Sequence, residues 1–285
     1  MKSKKSDYIL IADSGSTKTS WALLSVNDNS VERFLSPGIN PFYQDSNAIN
    51  YLLNDLDFNG KEPGRVFFYG AGCVGKTQLA LVSDALSIKF RKAQVEVESD
   101  LLGAARSLCG HESGIAAILG TGSNSCYYNG SNIIENVSPL GYILGDEGSG
   151  AVLGRKLLGD ILKKQLPDNI CKAFYEQYNL SSTTIIENVY RKPFPNRYLA
   201  KFTYFISEHI DNKSINGLVK SSFEDFFVRN ISLYSTAHKH TIHFTGSVAW
   251  IFREILALAA DESGFELGKV ESDPIEGLLR YHINY

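Results

Sequence analysis

The sequence predicts an α/β protein built from two similar units, each a mixed sheet with helices on its faces. Three observations predict it. Apolar strand pairs flank two turns rich in glycine and hydroxyl side chains, Asp13-Ser14-Gly15-Ser16-Thr17-Lys18-Thr19 and Gly120-Thr121-Gly122-Ser123. Strand–helix alternation follows the first pair, and the whole pattern restarts near Gly114. At 285 residues the chain has reached the size at which one core commonly gives way to two.

Taken in order, Tyr8 to Ala12 enters the first turn and Trp21 to Leu24 leaves it, which reads as a hairpin. Val31 to Leu35 is a third strand, and Ser36-Pro37-Gly38-Ile39-Asn40-Pro41 is dense in loop formers. Ala48 to Leu53 has helical spacing. Val66 to Tyr69 is a buried strand ending at Gly70-Ala71-Gly72-Cys73. Gln78 to Phe90 reads as helix, Gln94 to Glu98 alternates as a strand that delivers Ser99-Asp100, and Leu101 to Leu108 continues as helix. In the second half, Ile115 to Leu119 and Cys126 to Tyr128 form the second hairpin, with Asn132 to Val137 as its third strand. A glycine-dense loop follows, then helices from Ala151 to about His209 and beyond, the strand Thr241 to Phe244, and a helix over Val248 to Ala260. Phe265 to Leu267 and Pro274 to Tyr281 are a last strand and helix. The domains are therefore expected at 1–109 and 110–273.

Bulk properties narrow the function. Hydrophobic residues make up 44 % and charged residues 21 %, the balance of a packed globular chain. With 28 basic against 31 acidic residues the net charge is −3, and no basic stripe interleaved with aromatics is present, so nucleic acid is not an expected partner. Lys2, Lys4 and Lys5 precede five residues of apolar strand rather than the longer core of a secretory signal, and no segment has membrane-spanning length. Cys73, Cys109, Cys126 and Cys171 form no C-x-x-C pair, which fits reduced thiols in a cytoplasm. His238, His240 and His243 lack carboxylate or thiolate partners at ligand spacing and read as a half-exposed strand rather than a metal site.

The chemistry lies in the loops. Glycines let backbone N–H groups approach an anion and Ser/Thr hydroxyls add donors, so each turn can hold a phosphate. Either turn alone is ordinary hairpin chemistry; two of them suit a triphosphate. Gly145-Asp146-Glu147-Gly148-Ser149-Gly150 opens a helix, where Asp146 and Glu147 are also good capping residues. Thr245-Gly246-Ser247-Val248 is a further strand-to-helix turn.

In their order these motifs resemble the BadF/BadG/BcrA/BcrD-type ATPases of the acetate and sugar kinase, heat-shock protein and actin superfamily, and within them the N-acetylglucosamine kinases. The similarity runs from Ile9 to about Leu279 through D-x-G-x-T-x-T at Asp13, the Asn40 loop, Gly70 to Cys73, the strand ending at Asp100, G-T-G-S-N at Gly120, G-D-E-G-S at Gly145 and T-G-S-V at Thr245. The resemblance implies a two-domain actin-like ATPase (ribonuclease H-like) fold with an interdomain cleft and with 274–285 packing back on the first domain, ATP and Mg2+ as cofactors, and a sugar whose 6-hydroxyl accepts the γ-phosphoryl group. It assigns Gly15, Ser16, Thr17, Lys18, Gly120, Thr121, Gly122 and Ser123 to the phosphates. Asp13 would organise the magnesium hydration shell, and Gly246, Ser247 and Val248 would line the adenosine. Asn40, Gly72, Asn124 and Asp146 would meet the sugar, and Asp100 would be the general base. For Asp100 an N-cap role is open as well, and the two can coexist. The sugar is N-acetylglucosamine or a relative, N-acetylmuramic acid or glucosamine; a homodimer is compatible with the resemblance.

Two competing patterns need a physical test. Gly70 to Thr77 matches G-x-x-x-x-G-K-[ST] in full after a strand and before a helix, yet the companion strand Val95 to Asp100 is acidic for a P-loop partner, and the hairpin turns would be left unexplained. The same family also contains ATPases that activate 2-hydroxyacyl-CoA dehydratases through an iron–sulfur cluster shared between subunits, for which Cys126 and Cys171 are the candidate ligands. A sugar sensor without catalysis would be expected to lack the base, and Asp100 is present.

Overall fold

The computed structural model describes residues 6–283. Lys2, Lys4 and Lys5 lie outside the described residues, as does the end of the expected terminal helix at 284–285. The chain divides into two compact units, one running to Glu112 with Gly130–Asn132 and the segment from Pro274 onward, the other spanning Ser113–Asn129 and Ile133–Asp273.

The first unit contains β1 (Tyr8–Ser14), β2 (Lys18–Ser25), β3 (Val31–Pro37), α1 (Ser46–Asn54), β4 (Arg65–Gly70), α2 (Lys76–Lys89), β5 (Gln94–Ser99) and α3 (Asp100–Cys109). Its sheet has the order β3-β2-β1-β4-β5, antiparallel across the two hairpin pairs and parallel from β1 to β4 to β5. Strand alternation sorts the core onto both faces. Leu10, Ala12, Trp21, Leu23, Val66 and Phe68 face α1 and α2, whereas Ile9, Ile11, Ala22, Leu24, Phe67 and Tyr69 face the other way.

The second unit repeats that plan. Its strands are β6 (Ser113–Leu119), β7 (Ser123–Asn129) and β8 (Ile133–Glu135), followed by the short helix α4 (Gly141–Leu144) and α5 (Gly150–Leu162). A helical insertion comes next: α6 (Asp168–Tyr178), α7 (Ser182–Tyr190), α8 (Pro195–Ala200), α9 (Thr203–Glu208) and α10 (Lys213–Arg229). The unit closes with β9 (Ile242–Thr245), α11 (Ser247–Ile251), α12 (Arg253–Glu262) and β10 (Leu267–Glu271). The sheet order β10-β9-β6-β7-β8 mirrors the first, with β6, β9 and β10 parallel. Ile115, Ala117, Leu119, Ile242 and Phe244 join the core made by the helices.

The last helix, α13 (Ile275–Ile283), belongs to the first unit and covers the second face of its sheet. His282 stacks on Phe67 at 3.8 Å and its Nε2 pairs with the Tyr69 hydroxyl at 2.8 Å. Arg106 donates to that hydroxyl at 2.8 Å and to Glu96 at 3.0 Å, so β4, β5, α3 and α13 share one polar node. Burial holds His282 well below the usual histidine range, at about 3, helped by the nearby Arg106 and Arg65 charges, so it works as a neutral ring.

Two expected elements are corrected. The helix over Val248 to Ala260 is broken at Phe252, which takes φ −104° and ψ 26° and buries its ring in the core. The final strand is Leu267–Glu271 rather than Phe265 to Leu267, because the Phe265 N–H is already bonded to the Ala260 carbonyl at 2.9 Å, closing α12 after Gly264.

Candidate active site

In the first unit the parallel register decides which residues meet. Ser14 lies opposite Gly70, and Gly70 opposite Ser99, so the first hairpin turn, the Gly70 turn and the start of α3 leave the sheet at one level. The Ala71 N–H donates to the Ser14 carbonyl at 2.8 Å, which joins two of those turns directly. Asp13 pairs with Tyr69 in the same register, one residue before β1 ends at the turn.

The turn is closed by the Gly15 N–H on the Lys18 carbonyl, 3.0 Å. Gly15 has no positive φ, and a Cβ placed on it would meet nothing nearer than 3.8 Å. Neither backbone conformation nor packing calls for glycine here; what its absent side chain leaves is open access to the backbone. Thr17 and Lys18 are exposed, and Ser16 is half-buried. Ser14 behaves differently from its neighbours in the motif: it is fully buried, pairs with Thr19 Oγ1 at 2.7 Å, donates to the Ile39 carbonyl and accepts the Ile39 N–H. It ties the turn to the Asn40 loop. Sequence reading missed this because all the hydroxyls of D-S-G-S-T look alike; strand alternation, which turns Ser14 inward, was the usable signal.

Asn40 is buried and uses its Oδ1 to accept the Phe42 N–H at 2.9 Å, leaving its amide nitrogen as the donor the loop does not consume. Gln44, also unforeseen, braces the loop by accepting the Asn40 N–H and donating to the Gly38 carbonyl. Gly72 has φ +78°, and a Cβ there would collide with the Asn40 carboxamide, so the Gly70 turn and the Asn40 loop touch only because residue 72 is glycine.

Asp100 is the first residue of α3. Ser99 is the N-cap, accepting the Leu102 N–H, so the capping role falls to Ser99 and the Asp100 carboxylate accepts the Leu101 N–H at 2.9 Å. Gly103 lets α3 approach the Tyr69 ring, where a Cβ would come within 2.8 Å, and this sets the height of Asp100. Burial pushes the Asp100 carboxyl up to about 6, against the opposing bond from Leu101. Its charge is also felt by the buried Cys73 thiol, which burial first and Asp100 second push up to about 12.

In the P-loop string three amides are already spent within the fold, that of Ala71 on Ser14 among them. The Cys73 N–H is spent on the Gly70 carbonyl and the Val74 N–H on the Gly72 carbonyl. Cys73 fills the turn, its Sγ 2.8 Å from a Cβ placed on Gly70, and Lys76 and Thr77 are exposed at the start of α2.

In the second unit the equivalent turn is Gly120 to Gly122, with Ser123 and Asn124 opening β7. Gly120 again lacks a positive φ and has open space where a Cβ would sit. The Gly120 and Thr121 carbonyls accept the Gly150 and Ala151 N–H groups at 2.8 and 3.0 Å, the first amides of α5. Asn124 Oδ1 accepts from the Ser125 N–H and from Asn136, leaving its own amide nitrogen outward as a donor. Asp146 takes φ +53°, and burial pushes its carboxyl up to about 6 against the opposing influence of the Ser123 amide. Glu147 is held by Arg229 and by Asn230 Nδ2. Gly246, at φ +117°, fits against the Leu119 backbone where a Cβ could not; Ser247 is exposed, while the Val248 side chain is in the core and offers only its backbone.

Among the described residues no group of three or more His, Cys, Asp or Glu side chains is placed to hold a metal ion. A magnesium ion carried by phosphates needs only one or two carboxylates beside its waters, which Asp13 at the mouth of the first turn can supply. The three histidines are otherwise engaged: His238 stacks on Phe265, His240 packs on Tyr127, and His243 Nδ1 accepts the Lys269 N–H. Cys126 is fully buried in β7. Among the described residues no helix is long and apolar enough to cross a membrane.

No protein-family model matches the chain. No curated protein matches it either. Among solved structures it matches a proposed N-acetylglucosamine kinase from Porphyromonas gingivalis at 49 % identity and TM-score 0.93, covering 97 % of this chain and 99 % of that one. A proposed N-acetylglucosamine kinase from Chromobacterium violaceum matches at 16 % identity and TM-score 0.74, covering 98 % and 99 %. A ROK family glucokinase from Streptomyces griseus, solved with glucose and AMPPNP, matches at 15 % identity and TM-score 0.55, covering 96 % and 97 %. The last two carry the fold alone. The fold is the two-domain actin-like one.

The raised Asp100 pKa fixes the sign of a stability effect. A carboxyl whose folded pKa lies near 6, above its ordinary 3.8, stabilises the fold when protonated and loses that contribution as pH rises through 6. Asp100→Asn mimics the protonated group, so thermal melts at pH 7 should show the variant more stable than the native chain, by roughly 1–3 kcal/mol. The difference should shrink towards pH 4. Equal melting temperatures at pH 7 would show that the carboxylate is not desolvated.

Proposed function

This chain belongs to the N-acetylglucosamine kinase-like family of actin-fold ATPases, and we propose that it is an ATP-dependent amino-sugar kinase acting on the sugar 6-hydroxyl. The observation that carries the reading is the matched pair of turns: in both units a hairpin at the mouth of parallel strands bears a glycine, Gly15 or Gly120, that neither φ nor packing requires. Backbone left open in this way suits the phosphates of a nucleotide.

In this reading Gly15 to Lys18 and Gly120 to Ser123 bind the phosphates, Asp13 orders magnesium-bound water, and Gly246, Ser247 and the Val248 backbone line the adenosine. The amide nitrogens of Asn40 and Asn124 donate to sugar hydroxyls, alongside Gly72 and Asp146. Asp100 removes the proton of the attacking hydroxyl as the γ-phosphorus–oxygen bond to ADP breaks and the bond to the sugar oxygen forms. Raised to about 6, Asp100 is ionised at neutral pH yet basic enough to take that proton. The substrate is N-acetylglucosamine or a close relative, N-acetylmuramic acid or glucosamine. The dehydratase-activator alternative needs exposed thiolates at a subunit interface, and the burial of Cys126 argues against it.

Asp100→Asn should lower kcat roughly a hundredfold or more while leaving the sugar KM largely unchanged. In the native chain, kcat/KM for the sugar should fall at least tenfold per pH unit below about 6, since protonation disables the base and Asp146 titrates in the same range. Near-native turnover of the variant removes Asp100 from the mechanism.

Calorimetry separates the hairpin turns from the P-loop string. Lys76→Ala should leave ATP affinity unchanged, because Lys76 is exposed on α2 and the Ala71, Cys73 and Val74 amides before it are already bonded. Thr17→Ala and Thr121→Ala should each weaken nucleotide binding or slow transfer. Loss of binding in the lysine variant beside two unaffected threonine variants would sink the proposed site.

A further inference from the structure

The second glycine of G-T-G-S does a different job from the first. Gly122 has no positive φ, and a Cβ on it would lie 3.1 Å from Asp146 Oδ2, so residue 122 is small to let a carboxylate in. That carboxylate packs against the turn beside the Ser123 amide, the one that opens β7, and this amide opposes the upward push of burial on its pKa. On its other side the same turn is held by the Gly150 and Ala151 amides on the Gly120 and Thr121 carbonyls.

The loop carrying Asp146 is built to keep it there. Asp146 is in the left-handed region at φ +53°, a conformation that non-glycine residues hold only when the surroundings impose it. Its N–H donates to the Pro139 carbonyl at 2.8 Å and its own carbonyl accepts the Ser149 N–H at 3.0 Å. Next to it, Glu147 is anchored on Arg229 and Asn230 at the end of α10. Gly145, whose absent Cβ would strike the Pro139 carbonyl, permits the close pass of the chain that precedes it. Loop, turn and α5 therefore form one braced assembly within the second unit.

We infer that Asp146 is a positioning residue of the phosphate turn as well as a sugar contact, one carboxylate oxygen fixing the Ser123 amide while the other is left for a sugar hydroxyl. The inference rests on the amino-sugar kinase reading for its sugar half only. A single carboxylate serving both makes acceptor binding and phosphate-turn geometry interdependent, and linkage requires that dependence to be reciprocal. The carboxyl, raised to about 6 by burial, is ionised at neutral pH and so is a strong acceptor for the amide.

Two variants separate the roles. Asp146→Gly removes the carboxylate without straining the positive φ, and Asp146→Asn keeps an oxygen for the Ser123 N–H but removes the charge. Without sugar, calorimetry should show AMPPNP affinity about tenfold weaker in Asp146→Gly and within about threefold of native in Asp146→Asn. Asp146→Asn should raise the sugar KM. Hydrogen exchange in the ligand-free protein should show the Ser123 amide exchanging more than about tenfold faster in the glycine variant, and near the native rate in the asparagine variant. Native AMPPNP affinity together with native Ser123 exchange in Asp146→Gly would overturn the positioning role. If the native chain bound no AMPPNP, the kinase reading would fail, and Ser123 exchange would still decide the positioning role.

Discussion

The constraint on which the rest depends is the parallel pairing at the centre of each sheet. Because β1, β4 and β5 run in register, Ser14, Gly70 and Ser99 fall in one row and every loop beyond them leaves from the same edge. The carboxyl ends of parallel strands are where open α/β sheets gather ligands, and the second unit repeats the device with Ile118, Thr245 and Glu271. Antiparallel hairpins on one side of each parallel set add the glycine turns. Side chains then only trim what the register has placed: Gly103 against Tyr69 sets the level of α3, and Gly72 against Asn40 joins two loops.

The site residues run against stability in a consistent way. Asp100 and Asp146 are both carboxyls that burial pushes up to about 6, and Asp146 also sits at positive φ, which few residues other than glycine adopt. Neighbouring structure holds them there. Ser99 takes over the capping of α3 while the Asp100 carboxylate accepts the Leu101 amide, and Glu147 with Arg229 and Asn230 secures the loop of Asp146. Local rules of good folding are broken at these positions and obeyed around them, which is the pattern expected where chemistry rather than packing chooses the residue.

Much of this was legible in the sequence. Alternating apolar runs identified the strands, and glycine with hydroxyl residues marked the turns, because period and turn chemistry are local properties. What escaped was set by distant partners. The break at Phe252 is invisible to periodicity, since Val248, Ala249, Ile255 and Leu256 continue the apolar pattern across it. Phe265 reads as the first residue of a strand until its N–H is seen bonded to Ala260 and its ring stacked on Phe227. The two glycines of G-T-G-S look equivalent as letters; only the position of Asp146 distinguishes an open one from one that makes room. Likewise the P-loop string matches letter for letter, and only the fold shows its Ala71, Cys73 and Val74 amides already bonded.

The central claim, transfer of phosphate to the 6-hydroxyl of an amino sugar, is tested most directly by following ATP by phosphorus NMR with N-acetylglucosamine, its relatives, and a 6-deoxy analogue as acceptors. A sugar 6-phosphate should appear in step with ADP for at least one amino sugar, and no phosphosugar should form from the 6-deoxy compound. ADP released at one rate with and without sugar, with no phosphosugar from any acceptor, would contradict it.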